Sequence, residues 1–289
     1  MALRTLTTRD HRRDLDENRY VYAVLSRRSA GVSIVVNLNP DKVCNFDCVY
    51  CQVDRSVPGR YRRVDLTILE QELRDLLARA KSGDLFKRPP FYGIPEPYRQ
   101  VMDIALSGDG EPTTSPHFKE AVELAIRLRA ESGLGHLKIV IITNATMFHR
   151  PKVREALGLL GQHRGEIWAK LDAGTDEYYR LVDLTTIPFQ QVLNNILDVA
   201  RSYPVVIQSL FMRVRGTGPD KNEITTYCSR LREIVTRGGK INLVQVCTVA
   251  RHPAQPYVSP LSNGEVDGIT EAVRRIPLPA ASFYGDKEG

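Results

Sequence analysis

Strand-like and helix-like patterns alternate six times along this chain, and this alternation limits the folds available to it. The strand candidates are short apolar runs at Val32–Asn39, Met102–Ser107, Leu137–Thr143, Glu166–Asp172, Val205–Met212 and Ile241–Val249. Several of them are nearly continuous, which is typical of strands buried on both faces of a parallel sheet. The pattern therefore predicts an α/β fold with a parallel sheet, either curled toward a barrel or open and doubly wound.

Helical patterns fill the segments between these runs. Three pairs of residues predict helix starts: Thr67 with Glu70 and Ser262 with Glu265 as capping boxes, and Ser115-Pro116 with proline at the first helical position. Six strand–helix units fall short of the eight of a full barrel. We expect residues 1–31 to form an N-terminal arm and residues 32–289 to form one core domain.

Composition places the chain among ordinary globular proteins. It has 289 residues, of which 42% are hydrophobic and 26% are charged, and a formal net charge of +6. No apolar run approaches the ~18 residues that span a bilayer, and the first ten residues lack the apolar core of a secretory signal. We therefore expect a cytoplasmic protein without a membrane partner. Local basic runs such as Arg60-Tyr-Arg-Arg63 suit a solvated surface or, less often, contact with a phosphate backbone.

Three cysteines follow the first predicted strand. Cys44, Cys48 and Cys51 offer three thiolates within eight residues, close enough to hold one inorganic cluster. A [4Fe–4S] cluster takes one ligand per iron, so three cysteines leave one iron open to another molecule. A structural zinc site usually needs a fourth ligand, and Cys228 and Cys247 each stand alone as core residues. Five cysteines in a chain of this length do not indicate a disulfide framework.

A glycine-rich segment follows the second predicted strand. It contains Gly108, Asp109, Gly110, Glu111 and Pro112. Glycine lets a backbone approach a ligand closely, and Glu111 places a carboxylate beside it. A plain turn is the alternative. Because carboxyl ends of parallel strands meet at one mouth, we expect this segment to lie beside the cysteines.

Polar residues also follow the later predicted strands. Asn144 ends the third strand as a cap or a ligand contact, and Lys170 and Asp172 share one face of the fourth as an ion pair or as ligand contacts. Gln208 interrupts the fifth, and Arg251 and His252 follow the sixth, where an anionic substrate would enter. A separate segment, 86–98, is rich in proline and aromatic residues and suits a stiff surface loop, a substrate lid or a partner contact.

The motif Cys-Asn-Phe-Asp-Cys-Val-Tyr-Cys resembles that of the radical S-adenosylmethionine (radical SAM) enzymes. Tyr50 matches the aromatic position before the last cysteine. Gly110-Glu111-Pro112 resembles the family's Gly-Gly-Glu-Pro motif, with Asp109 in place of the first glycine. The resemblance implies a partial (β/α)6 TIM-like barrel, a [4Fe–4S] cluster on the three cysteines, and SAM bound to the open iron.

The resemblance also implies a reaction. A reduced cluster cleaves SAM to methionine and a 5′-deoxyadenosyl radical, which abstracts hydrogen from the substrate. It further implies that Tyr50, Gly108 to Pro112, Lys170 and Asp172 belong to the cofactor site, to which the position of Asn144 adds this residue, and that a reductant such as flavodoxin or ferredoxin is a partner.

Within that family, the cysteine motif, the Gly-Glu-Pro-Thr segment and the closing Ala-Arg-His-Pro-Ala together look like the Fe–S oxidoreductases grouped with wyosine synthase, over roughly residues 32 to 275. This likeness and the basic charge favour a nucleoside or RNA substrate without identifying it. No cysteine precedes Cys44, so the second cluster of wyosine synthase itself is not expected. A glycyl-radical-activating enzyme and a non-catalytic zinc-binding module stay open as alternatives. No catalytic side chain is identified from the sequence.

Overall fold

A curled sheet of mostly parallel strands organises the chain. The computed structural model describes residues 18–250, 253 and 255–285. Its strands are β1 (Val21–Ser26), β2 (Gly31–Val36), β3 (Val101–Leu106), β4 (Lys138–Thr143), β5 (Gly165–Lys170), β6 (Val205–Val214), β7 (Ile241–Thr248), β8 (Val258–Pro260) and β9 (Ala280–Phe283). Strands β2 to β7 lie side by side in chain order, and all neighbours among them are parallel. These are the six strands that the apolar runs predict.

Helices connect the strands and cover the outer face of the sheet. They are α1 (Leu66–Ser82), α2 (Phe118–Ser132), α3 (Pro151–Gln162), α4 (Asp176–Asp183), α5 (Phe189–Ser202), α6 (Lys221–Thr236) and α7 (Asn263–Arg274). Their buried leucines, isoleucines and valines pack with the outward residues of the strands into the main apolar core. The predicted partial (β/α)6 barrel with parallel strands is confirmed.

Of the two predicted capping boxes, the structure contradicts the one at α1 and confirms the one at α7. The α1 cap is Asp65, whose carboxylate accepts a hydrogen bond from the N–H of Thr67, so the predicted capping box of Thr67 and Glu70 is wrong. An aspartate two residues earlier reaches the first free N–H groups and fixes the start there. The capping box of Ser262 and Glu265 is confirmed at α7, with hydrogen bonds in both directions.

The start predicted at Ser115-Pro116 is also wrong. Pro112–Thr114 form a short 3₁₀ turn that ends at Ser115, whose backbone is extended, and α2 begins only at Phe118. The extended Ser115 separates the two helical segments. The turn therefore stays attached to the end of β3, where Glu111 precedes it.

Three short strands extend the predicted sheet. Strand β1 lies in the segment expected to be an arm and pairs antiparallel with β2, while β9 pairs parallel with β7 at the other edge. Strand β8 pairs antiparallel with the end of β6. The β1–β2 hairpin turn, residues 27–30, lies at the end of the sheet opposite the cysteine loop, because β2 runs from this turn toward the cysteines.

The proline-rich segment 86–98 connects α1 to β3. It therefore lies at the amino ends of the parallel strands, away from the mouth where the cysteines are. Phe91 and Ile94 are fully buried and anchor it to the core, whereas Tyr92 is exposed. This position favours the interpretation as a stiff surface loop over that as a lid on the mouth.

The inner face of the sheet carries a separate, smaller apolar cluster of Ala105, Val140, Trp168 and Val206. This cluster faces a cavity of about 600 Å³ enclosed by the curled sheet. The cavity runs from Tyr50 and Cys51 at the mouth to the β1–β2 turn at the opposite end. We call that opposite end the floor. No helix in the described part of the chain has the length and hydropathy to cross a bilayer.

Candidate functional site at the carboxyl ends of the strands

The cysteine loop is held in place by main-chain hydrogen bonds to the end of α4. The N–H of Val49 donates to the carbonyl of Val182 at 2.9 Å, and that of Asp47 donates to the carbonyl of Asp183 at 3.2 Å. The backbone around Cys48 is therefore fixed by an element that the sequence places about 130 residues later. No local sequence pattern predicts this contact.

All three loop cysteines are free thiols and each is partly exposed. Burial raises the pKa of Cys44, and burial together with the carboxylate of Asp183 raises that of Cys48 well above its usual range. Within the described residues, no three His, Cys, Asp or Glu side chains converge as they would on a single metal ion. A four-iron cluster places each ligand on a different iron, so its thiolates need one shared loop and not one shared point.

Arg55 ties the cysteine loop to the glycine-rich turn. Its guanidinium donates to the Sγ of Cys51 at 2.9 Å, to the carbonyl of Lys42 at 3.1 Å and to the carbonyl of Asp109 at 3.2 Å. The sequence gives no signal for this residue beyond its place four residues after the last cysteine of the motif.

The glycine-rich turn packs directly against the cysteine loop, as expected. A Cβ on Gly110 would lie 2.1 Å from the carbonyl oxygen of Val43, and Gly108 has φ = 151°, which side chains rarely adopt. Asp109 accepts a hydrogen bond from the Nδ2 of Asn37 at 2.7 Å, and its own N–H donates to the same side chain. The aspartate at the first-glycine position is accommodated because its carboxylate points to the end of β2.

Glu111 is buried, and protein donors occupy its carboxylate. It accepts hydrogen bonds from the N–H and hydroxyl of Thr113, from the hydroxyl of Thr143 at 2.6 Å and from the N–H of Asn144 at 2.7 Å. These bonds join the ends of β3 and β4. Burial nevertheless raises the pKa of Glu111 above its usual value, against the effect of these donors.

Asn144 belongs to a small amide and hydroxyl network. Its Nδ2 donates to the Oδ1 of Asn45 at 2.8 Å, while the Nδ2 of Asn45 donates to the hydroxyl of Thr146 at 2.8 Å. The network fastens the cysteine loop to the end of β4. Asn45, which the motif does not single out, is the residue that makes both contacts.

Lys170 and Asp172 form the predicted ion pair at the end of β5, with 3.0 Å between Nζ and Oδ2. The hydroxyl of Tyr50 donates to the same carboxylate oxygen at 2.5 Å, and the ammonium of Lys170 lies 4.7 Å from the centre of the Tyr50 ring. Burial alone would lower the pKa of Lys170, but Asp172 raises it above the usual value. Tyr50 therefore joins the cysteine loop to β5.

The fifth predicted strand places Gln208 and Ser209 on opposite sides of the sheet. Gln208 lines the cavity and donates to the Oε1 of Gln245 at 3.2 Å, whereas the neighbouring Ser209 bonds to the hydroxyl of Tyr227 on the helix-covered side. Arg251 and His252 lie outside the described residues. Cys228 and Cys247 are both buried, as predicted, although Cys247 also lines the cavity.

Comparison with solved structures identifies the architecture. A radical SAM methyltransferase from Sphaerobacter thermophilus superposes with a TM-score of 0.62, at 14% identity, over 92% of this chain and 70% of that chain. The chain has the radical SAM fold. A structure of TYW1 with a lysine–pyruvate adduct bound superposes with a TM-score of 0.55, at 13% identity, over 91% of this chain and 85% of that one. The resemblance predicted from the motifs is confirmed at the level of the fold.

Sequence comparison is less specific. No protein-family model matches the chain. A "UPF0026 protein" from Helicobacter pylori strain J99 is 25% identical over 218 residues, which is 74% of this chain and 62% of that protein. Another UPF0026 protein, from Methanocaldococcus jannaschii, is 30% identical over 127 residues, 44% of this chain and 33% of that protein. The chain thus spans less than two thirds of the length of the curated relatives it matches.

Proposed function

We propose that this protein is a radical SAM enzyme with one [4Fe–4S] cluster, bound through Cys44, Cys48 and Cys51. The observation that carries the proposal is the position of three free thiols on one loop at the mouth of a partial barrel, against a glycine turn that leaves no room for a Cβ. A module that bound only zinc would have no need of the cavity beneath this loop.

The donor set fits this group. Three thiolates on a loop fixed at both Asn45 and Val49 can ligate three irons and leave the fourth to SAM. When bound, the cluster and SAM supply the radical chemistry, and the protein supplies binding, orientation and exclusion of side reactions.

The chain's own residues would bind and orient the ligands. The backbone of Gly108 to Gly110 is the surface that SAM can approach, since the side chains of Asp109 and Glu111 are engaged elsewhere. Lys170 lines the cavity just below the loop and is held by Asp172, so it can meet an anionic part of a ligand. Gln208 lies beside Lys170 on the neighbouring strand and offers an amide to the same space.

The reaction would need one electron from a reductant such as flavodoxin or ferredoxin. A nucleoside or RNA substrate stays a proposal from resemblance and basic charge, as does a cytoplasmic location, where an oxygen-sensitive cluster is protected. Among the described residues, no contact favours the glycyl-radical-activating role over this one.

The test is anaerobic reconstitution with iron and sulfide, followed by SAM and dithionite. We expect the absorption and electron paramagnetic resonance signals of a [4Fe–4S] cluster, and 5′-deoxyadenosine in the products. Cys48→Ala should lose both signals, because two thiolates cannot hold the cluster. Cys228→Ala is the matched control, since this cysteine is buried in α6, and it should keep both.

Two results would contradict the proposal. A protein that binds zinc but no iron cluster would be a metal-binding module. A cluster that forms in Cys48→Ala as it does in the unchanged protein would mean that the ligands are misassigned.

A further inference from the structure

The floor of the cavity carries charged side chains that are not part of the candidate site at the mouth. Arg28 in the β1–β2 turn and Asp103 at the start of β3 both line the cavity there, with Ser29 and Ser33 beside them. Between this floor and the cysteine loop lies the apolar band around Trp168. The cavity is therefore polar at both ends and apolar in the middle.

Asp103 is a buried carboxylate with unmet hydrogen-bonding capacity. Asp103 is only 3% exposed, and its Oδ1 has no hydrogen-bond partner within the described residues. Buried polar atoms in native proteins are nearly always paired, so this atom requires an explanation. Burial raises the pKa of Asp103, although the hydroxyls of Ser29 and Ser33 lower it in part.

Arg28 does not neutralise Asp103 by direct contact. Its guanidinium lies 5.4 Å from the centre of the Trp168 ring, and among the described residues no salt bridge joins it to Asp103 or to any other acid. A structural ion pair that closed the barrel would bring the two within 4 Å. A cation and an anion that line one cavity without meeting leave room for a ligand between them.

We propose that the floor binds the zwitterionic end of a small substrate, with an amino group donating to Asp103 and a carboxylate accepting from the guanidinium of Arg28. The proposal rests on the radical SAM function proposed above, which places the reacting atoms at the mouth. The apolar part of the substrate would then lie along Ala105, Val140 and Trp168, so the reacting carbon is the end remote from the charged groups. The substrate class is thus a free α-amino acid or a molecule that ends in one.

This ligand suits the site in charge and in shape. Arg28 and Asp103 carry opposite charges, so a zwitterion can meet each with its complement, whereas a pure anion would face Asp103 and a pure cation would face Arg28. Arg27 of the same turn also lines the cavity and adds a second cation on the side of the proposed carboxylate. An arginine fork is suited to a carboxylate, since it can offer two parallel N–H groups. A cavity of about 600 Å³ is within the range of small-molecule sites.

Binding can be tested without radical chemistry. The anaerobically reconstituted full chain is titrated by calorimetry with L-leucine, L-phenylalanine and L-tryptophan, each compared with its N-acetyl and its amide form. We expect at least one free amino acid to bind, and either blocked form to bind about tenfold more weakly or worse, as loss of one charge-assisted hydrogen bond predicts. Asp103→Asn and Arg28→Gln should each give a loss of similar size.

Asp75→Asn and Arg237→Gln are the matched controls, because Asp75 on α1 and Arg237 just after α6 are exposed and neither lines the cavity, so they should leave the affinity unchanged. The blocked ligands test the idea with the unchanged protein, so a variant that fails to fold does not decide the result. Equal binding of free and blocked forms, or no binding of any amino acid, overturns the proposal. Binding of polyuridylate with no amino-acid binding would overturn it in favour of RNA.

Failure here is distinguishable from failure of the proposed function. The calorimetric result does not depend on SAM cleavage, which is measured separately as 5′-deoxyadenosine. A protein that cleaves SAM and ignores amino acids keeps its proposed function and loses this substrate class.

Discussion

The mouth and the floor of the cavity both contain buried carboxylates, but these carboxylates differ in the hydrogen bonds that they accept. At the mouth, Glu111 accepts four hydrogen bonds and Asp172 accepts from Tyr50 and Lys170. At the floor, the Oδ1 of Asp103 accepts none from the described residues. The difference indicates that the carboxylates of Glu111 and Asp172 serve to hold the ends of the strands and the cysteine loop in place. A ligand at the mouth would meet thiols, backbone, Lys170 and Gln208, whereas at the floor it would meet a carboxylate oxygen that has no hydrogen-bond partner among the described residues.

The tightest contact at the mouth gives the largest expected effect. Gly110→Ala would place a Cβ 2.1 Å from the carbonyl oxygen of Val43, and a backbone atom cannot yield as a side chain can. We expect a loss of about 3 kcal/mol in the free energy of unfolding, the upper range for overpacking, and weaker cluster retention. Urea unfolding and iron content measure the two effects.

Gly135→Ala is the control for that substitution, because a Cβ there meets nothing within 4 Å. If Gly110→Ala unfolds at the same urea concentration as Gly135→Ala, the cysteine loop is not packed against the glycine turn as described. The residues of the mouth would then not be fixed by close packing, and the mouth and the floor would differ less than described.

Glu111→Gln is expected to have the next largest effect. The amide group puts an N–H where the carboxylate accepted from Asn144 or from the two threonines, so a donor faces a donor in a buried site. A cost of about 2 kcal/mol in the free energy of unfolding follows. Urea unfolding measures it, and Glu96→Gln on the surface, at an exposed position, should change it by less than about 0.5 kcal/mol. A Glu111→Gln protein as stable as the unchanged one would mean that the carboxylate is not structural.

Local patterns predict the strands and the motif loops but not the contacts among them. The apolar runs and the spacing of Cys44, Cys48 and Cys51 are properties of short segments, and the rule that parallel strands end at one mouth brings those segments together. The contacts of Asp183 with the cysteine loop join residues about 130 positions apart, and no periodicity encodes them.

The same limit explains the errors. The cap of α1 is Asp65 because its carboxylate accepts from the N–H groups of Thr67 and Ile68, and the capping-box spacing of Thr67 and Glu70 does not take this aspartate into account. Strand β1 escapes the pattern because a single antiparallel edge strand precedes the regular alternation. The floor is not predicted at all, since Arg28 lies in the turn before β2 and Asp103 near the start of β3, where no motif indicates a site.

The smallest expected effect has the opposite sign and tests the floor directly. Asp103→Asn should raise the free energy of unfolding by about 1 kcal/mol near neutral pH, because it removes a buried charge without full hydrogen bonding. Burial raises the pKa of Asp103 above its ordinary value of 3.8, so the folded state holds the proton more tightly than the unfolded state. The unchanged protein therefore loses stability as the pH rises through that raised pKa, and the variant does not. The difference between the two should be smallest near pH 4 and widen toward pH 8 in urea unfolding, while Asp75→Asn shows no such widening. A variant that is less stable at every pH would mean that the carboxylate of Asp103 stabilises the fold, as that of Glu111 does. The floor would then not differ from the mouth in this respect.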